Sequence, residues 1–144
     1  MSLPPLPAEA QDLLAKPLPC VIATVRSDGA PVTTPTWYLW ENGRALLTMD
    51  ADRVRLKHIR RDPHVSLTVI AEDWYSHVTL LGRVTELRDD VGLADADRIS
   101  RHYTGREYPD RVRPRVTATI TVDRWHGWGE FKDSDQASTE QSAI

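Results

Sequence analysis

The sequence predicts a mainly β protein, an antiparallel barrel with a few peripheral helices. Three observations point there. Apolar and β-branched runs recur along most of the chain and are separated by turn dipeptides such as Asp28-Gly29 and Asn42-Gly43. The segments with helical spacing are short and do not alternate with strands as they would in a βαβ protein. No internal repeat divides the chain, so its 144 residues read as one domain over 1–131 with a polar tail, 132–144, expected to be disordered.

The elements follow in order. Pro4, Pro5 and Pro7 make an extended lead-in, and AEAQDLLAK (8–16) reads as a helix stopped by Pro17 and Pro19. CVIATVRS (20–27) is a strand that turns at Asp28-Gly29 into a returning strand, APVTTPTWYLWE (30–41). Pro31 and Pro35 lack amide donors, which puts part of that strand at an edge or a bulge. Asn42-Gly43 turns the chain into RALLTMD (44–50). A short helix is expected over Arg53–Arg60, with Asp50 or Asp52 near its N-cap. HVSLTVIAE (64–72) and YSHVTLLGRVTELRD (75–89) are the next strands, with Gly82 a bulge or bend. Asp89-Asp90 can cap a helix through LADADRISRHY (93–103). Thr104–Pro114, rich in Arg and Tyr, reads as a solvated loop, with a cover over a binding site as the alternative, and RVTATITVDRWHGWGEF (115–131) supplies one or two last strands.

Composition narrows the function. A net charge of −3 with 40% hydrophobic and 27% charged residues is that of a globular protein, and the acidic balance argues against nucleic acid as a partner. No apolar run is long enough for a membrane helix, and MSLPPLPAEAQ lacks the basic and apolar regions of a secretory signal, so the expected location is cytoplasmic. The single cysteine, Cys20, lies in an apolar run and reads as a buried thiol. No HExxH, no GxSxG and no glycine-rich phosphate loop occurs, so no metal site is expected. A chain with no evident reactive group of its own points to a bound cofactor.

The candidate anion site is DADRVRLKHIRRDP (50–63), which concentrates Arg53, Arg55, Lys57, Arg60 and Arg61. Like charges one turn apart repel, so local helix stability does not favour this cluster. A phosphate held by guanidinium forks and free helix amides would. The other reading is a solvated basic face balanced by Asp50, Asp52 and Asp62. Trp37, Tyr38, Trp40, Trp74, Tyr75, Trp125 and Trp128 suggest a flat ligand or a subunit interface, since Trp and Tyr favour pocket walls. Thr33, Thr34, Thr36 and Thr48 on adjacent strands could bond a planar ring, or serve simply as good strand residues.

The hairpin at DG, the strand PVTTPTWYLW, the turn NG and LLTMDADRVRLKHIRRDPHVSLTV together resemble the pyridoxamine 5′-phosphate oxidase-like flavin and deazaflavin oxidoreductases. Within them the chain is most similar to the small actinobacterial branch that uses coenzyme F420. The resemblance spans about residues 8–131, and RVRLKHIRRDP and RVTATITVDRWHGWG carry most of it. It implies a six-stranded antiparallel split β-barrel, the FMN-binding split barrel, paired as a homodimer with cofactor sites at the interface. By position it implies Arg53, Arg55 and Lys57 on the cofactor phosphate, and Thr48 and Met49 along the ring. Thr34, Pro35, Thr36 and Trp37 would contact the ring or ribityl chain, and Trp74 and Trp128 of the partner chain would close the pocket. Arg60 and Arg61 are assigned to pairing with Asp62 or other acidic side chains. The implied reaction is hydride transfer between F420 and a small electron-poor substrate, with a proton from water, Tyr38 or His77. The alternatives are an FMN-binding oxidase or flavin reductase of the same fold, or a non-catalytic cofactor- or tetrapyrrole-binding protein.

Overall fold

The computed structural model describes residues 6–129, and the expectation of a disordered tail over 132–144 falls outside them. Seven strands form one antiparallel sheet: β1 Cys20–Val25, β2 Pro31–Thr36, β3 Leu39–Glu41, β4 Arg44–Asp50, β5 His64–Ile70, β6 His77–Asp89 and β7 Arg115–Trp128. Three helices flank it, α1 Ala8–Leu14, α2 Val54–Arg61 and α3 Ala94–Thr104, the last entered through a 3-10 turn at Val91–Leu93.

The strand order is β2-β1-β5-β6-β7-β4-β3. β2 and β3 therefore lie on opposite edges, yet only Trp37 and Tyr38 separate them in sequence. Three Cα steps reach about 11 Å at most, so the two edges must lie together and the sheet must be rolled into a barrel. This corrects the expected single strand over 30–41, and it makes the strand count seven rather than six. The chain leaves the β1 edge after Thr36 and rejoins the sheet beside β4 at Leu39. Aromatic contacts tie off the crossover. Trp37 stacks on Tyr103 of α3 at 4.9 Å and 7°, and the Tyr38 hydroxyl donates to the Leu14 carbonyl of α1 at 2.5 Å. Both prolines sit in β2, an edge strand, where a missing amide leaves no gap in the ladder.

The barrel interior is filled from every layer, by Ile22, Leu47, Leu67, Val69, Leu80, Ile120 and Trp125 among others, with Leu13 and Leu14 of α1 packed against them. Gly82 sits at a register shift between β6 and β7, and a Cβ there would lie 2.1 Å from the Thr121 carbonyl oxygen. The bend therefore requires glycine. Asp90 caps α3 as expected, its carboxylate accepting from the amides of Asp95 (2.8 Å) and Ala96 (2.9 Å).

α2 departs from expectation at its start. Arg53, extended at φ −62° and ψ 136°, is the N-cap residue, and no side chain caps the helix. Asp50 ends β4 and faces Arg115 and Arg113 instead. Leu56 and Ile59 bury the helix against the barrel, and a hydrogen bond joins His58 Nδ1 to Thr24 Oγ1 (2.9 Å).

Candidate functional site

A cavity of about 730 Å³ opens where α2, α3, the β2–β3 crossover and the ends of β4 and β7 meet. That volume is within the usual range for small-molecule sites. Its walls differ in chemistry. α2 contributes Arg53 and Arg55, β7 contributes Arg115, and β4 contributes Thr48, Met49 and Asp50. Trp37 and Tyr103 make an aromatic wall, Tyr108 stands beside Arg115, and Trp74 marks the rim.

Arg55 decides what the cavity is for. It is 8% exposed and donates through Nη1 to Thr34 Oγ1 at 3.2 Å, while its Nε is buried with no partner. Burial, then repulsion from Arg53 and Arg115, lowers its pKa to about 10, so it remains a cation at neutral pH. Among the described residues neither Arg53 nor Arg55 forms a salt bridge. The acidic residues expected to balance the segment are engaged elsewhere or unpaired: Asp50 with Arg115 (2.8 Å) and Asp62 with His64 (2.8 Å), while Asp52 has no ion pair among the described residues. A buried, unpaired cation with an orphaned donor is costly unless an anion meets it. The residues present fit a phosphate-bearing planar group: two free guanidinium forks, strand-end hydroxyls, and an aromatic wall for a ring.

Of the expected site residues, Pro35, Thr36, Trp37, Thr48, Met49, Arg53, Arg55 and Trp74 line this one cavity. Thr34 stands behind it as the acceptor for Arg55. Lys57 and Trp128 do not line it. Lys57 follows Arg55 by two positions in a regular helix, a rotation of about 200°, so it faces solvent. Arg53 escapes that geometry because it lies outside the helix, at the N-cap. Trp128 is at the opposite end of β7 from Arg115, paired with His77 of β6. Trp74, assigned above to the partner's pocket, borders the cavity of its own chain, on a left-handed backbone (φ 68°) fixed by Asp73 accepting from the Tyr75 amide.

Two further expectations change. Arg61 donates to the backbone carbonyls of Val25 and Arg26 rather than to Asp62, which holds His64. Neither proposed proton donor faces the cavity: Tyr38 is 1% exposed with its hydroxyl on Leu14, and His77 meets His126 edge-to-face at 6.3 Å. Cys20 touches the cavity, but burial outweighs the pull of Arg55 and pushes its pKa up to about 12, so it is an inert thiol.

Sequence reasoning missed Arg115, Tyr103 and Tyr108. Arg115 donates to Thr48 Oγ1 through Nε (3.3 Å) and Nη2 (3.1 Å), and through Nη1 to Asp50 (2.8 Å) and the Tyr108 hydroxyl (3.0 Å). Its guanidinium carbon lies 4.4 Å from the Tyr108 ring centre. The signal for Arg115 was antiparallel pairing: the register sets Asp50 opposite Arg115. Tyr108 was hidden because its loop looked solvated. Asp97 holds that loop, accepting from the Tyr108 amide (3.0 Å) and the Arg111 guanidinium (2.6 Å).

The pyridoxamine 5′-phosphate oxidase family matches residues 6–129. Among solved structures, an F420 reductase is similar at 27% identity and a TM-score of 0.77, over 83% of this chain and 98% of that one. A conserved hypothetical protein from Mycobacterium tuberculosis is similar at 26% identity and a TM-score of 0.67, over 89% and 84%. The General Stress Protein 26 from Bacillus anthracis shares the fold at 14% identity and a TM-score of 0.65, over 83% and 91%. No curated protein matches. Among the described residues no helix is long and apolar enough to cross a membrane, and no group of three or more His, Cys, Asp or Glu could hold a metal ion.

Proposed function

The chain belongs to the pyridoxamine 5′-phosphate oxidase family, and from that premise we propose that it is an oxidoreductase that uses coenzyme F420 to reduce a small organic substrate. The observation that carries the cofactor reading is Arg55, a buried cation with an unpartnered Nε beside the unpaired Arg53. The likeness to an F420 reductase supports the deazaflavin over FMN.

Arg53 and Arg55 would hold the phosphate, and Thr34 aims the Arg55 fork by accepting from its Nη1. Lys57, on the solvent side of α2, would add only distant attraction. Thr48 and Met49 at the β4 end, with Pro35, Thr36 and Trp37 opposite, would flank the ring. When bound, the coenzyme supplies a hydride at a ring carbon for an electron-poor double bond, imine or quinone. The chain's own part is orientation and water exclusion. Trp37, fixed by its stack on Tyr103, gives a rigid face, and Trp74 stands over the opening.

A homodimer and a cytoplasmic location belong to the same reading. Trp128 and Leu81, 45% and 38% exposed on neighbouring strands, offer apolar surface that a second copy would cover. Sedimentation would report the dimer.

Titration with F420 and with FMN, followed by tryptophan fluorescence, tests the cofactor assignment. F420 should quench, FMN should bind weakly, Arg55→Ala should abolish quenching, and Lys57→Ala should change it little. Preferential FMN binding would keep the phosphate site and move the activity to flavin chemistry. Binding of neither would overturn the proposal.

A further inference from the structure

Beyond the phosphate end, the cavity has a second polar corner where Thr48, Tyr108 and Arg115 meet, and its hydrogen bonds run in one direction. Arg115 donates every bond it makes there: two to Thr48 Oγ1, and one each to the Tyr108 hydroxyl and Asp50. A hydroxyl oxygen that accepts from a guanidinium keeps its own hydrogen available and must point it away from that guanidinium. Thr48 accepts twice, so its hydrogen is its remaining hydrogen-bonding capacity. Tyr108 accepts once, from Arg115 Nη1, and no internal acceptor takes the hydrogen of either hydroxyl among the described residues. The other cavity hydroxyls differ: Tyr103 donates to the Leu18 carbonyl and Thr36 to the Trp37 carbonyl. Asp50 is paired with Arg115 at 2.8 Å and with Arg113 at 3.5 Å.

We propose that Tyr108 and Thr48 form a donor pair, oriented by Arg115, that recognises an electron-rich oxygen on a planar ring held at the α3 side of the cavity. The ligand class is a ring bearing a carbonyl, nitro or phenolate oxygen. Tyr108 is the specificity-determining residue and Arg115 the positioning residue. Asp50 balances the charge of Arg115, so the selection comes from the two hydroxyl hydrogens, which favour an oxygen that carries or gains negative charge. The loop that bears Tyr108 is a fixed wall rather than a lid, since Asp97 holds its backbone and Arg111 while Asp110 accepts from the Val112 amide. Assigning this oxygen to the substrate rests on the oxidoreductase reading. The donor pair itself does not.

The probe is 4-nitrophenol, whose phenolate absorbs visibly, titrated into the wild type, Tyr108→Phe, Arg115→Lys and Arg55→Met, with thermal melts as a folding control. The wild type should bind the phenolate and lower the pKa of the bound phenol. Tyr108→Phe should melt like the wild type, weaken binding about 10- to 100-fold, and return that pKa towards the free value. Arg115→Lys, which keeps the charge and loses the fork, should fall between. Arg55→Met should retain most nitrophenolate binding. Absence of binding by the wild type overturns the proposal, as does unchanged binding by Tyr108→Phe. Loss in Arg55→Met alone also overturns it, because the phenolate then sits on the α2 arginines. Failure of F420 and FMN to bind, with Tyr108-dependent nitrophenolate binding intact, removes the cofactor assignment and leaves the donor pair standing.

Discussion

The arginines on the α3 side of the cavity and those on α2 are built into the protein in opposite ways. Arg88 and Arg98 share Asp95 at 2.9 and 3.2 Å, Arg111 meets Asp97 at 2.6 Å, and Arg115 meets Asp50 at 2.8 Å. Arg98 also reaches Glu41 of β3. Arg98–Asp95 lies within α3, and the other pairs cross element boundaries, tying α3 to β6, β3 and the 105–114 loop, and β7 to β4. On α2, among the described residues, Arg53, Arg55, Lys57 and Arg60 form no salt bridge. Exposure does not explain the contrast, because Arg55 is at least as buried as Arg115. One set of arginines is neutralised by the fold, and the other is left for something the fold does not contain.

The largest expected effect tests the paired side. Asp95→Ala removes the acceptor of Arg88, Arg98 and the Thr117 hydroxyl (2.7 Å) at a buried position. Breaking such a pair from one side should lower stability by about 3 kcal/mol, read from urea unfolding. Wild-type stability in this variant would mean that the α3 pairs are ornamental and would erase the contrast. The unpaired side predicts the opposite sign. Arg55→Met replaces a buried, half-satisfied cation with an apolar chain of similar length, and should stabilise the ligand-free protein by about 1–2 kcal/mol. The same change should weaken cofactor binding about 100-fold. Saturating cofactor would then invert the order of the melts, since a ligand at 100 times the wild-type Kd adds about 2.7 kcal/mol to the wild type and only about 0.4 kcal/mol to the variant. Destabilisation by Arg55→Met without ligand would show the arginine to be structural.

That contrast was only half readable from the residues. The cationic segment stood out locally by its charge, and it was the resemblance, not helical spacing, that put Arg53, Arg55, Thr48 and Met49 in the site. The turns at Asp28-Gly29 and Asn42-Gly43 marked hairpins, and Gly82 marked a bend, because turn chemistry and close approach act over a few residues. What was missed is non-local. The break at Trp37-Tyr38 exists because the two sheet edges meet there, which no window on 30–41 contains. Lys57 was placed with the phosphate by the same resemblance, and the helix sets it on the solvent side of α2. Tyr108 and Arg111 looked solvated because their partner, Asp97, lies on α3, eleven and fourteen residues earlier in the chain.

The smallest expected effect separates the two sides by pH. Burial raises the pKa of Asp95, but hydrogen bonds from Thr117, Arg88 and Arg98 outweigh it and hold the carboxyl below its ordinary value. Asp97 is lowered chiefly by the Arg111 hydrogen bond, against burial. In the unfolded chain both return to about 3.9. Between the folded and unfolded values the unfolded chain binds more protons, so stability rises with pH there. It is fully present above about pH 4 and is lost as pH falls through the folded values. Asp97→Asn should flatten that acid limb of a stability–pH curve while leaving the neutral plateau slightly lower. Cofactor affinity should follow a different curve. Arg55, lowered to about 10, stays charged from pH 5 to 8, so its contribution to cofactor affinity should stay level across that range. Asp97→Asn should leave the affinity curve unmoved. If one carboxylate substitution shifts both curves together, the framework arginines and the ligand arginines are a single coupled network rather than two.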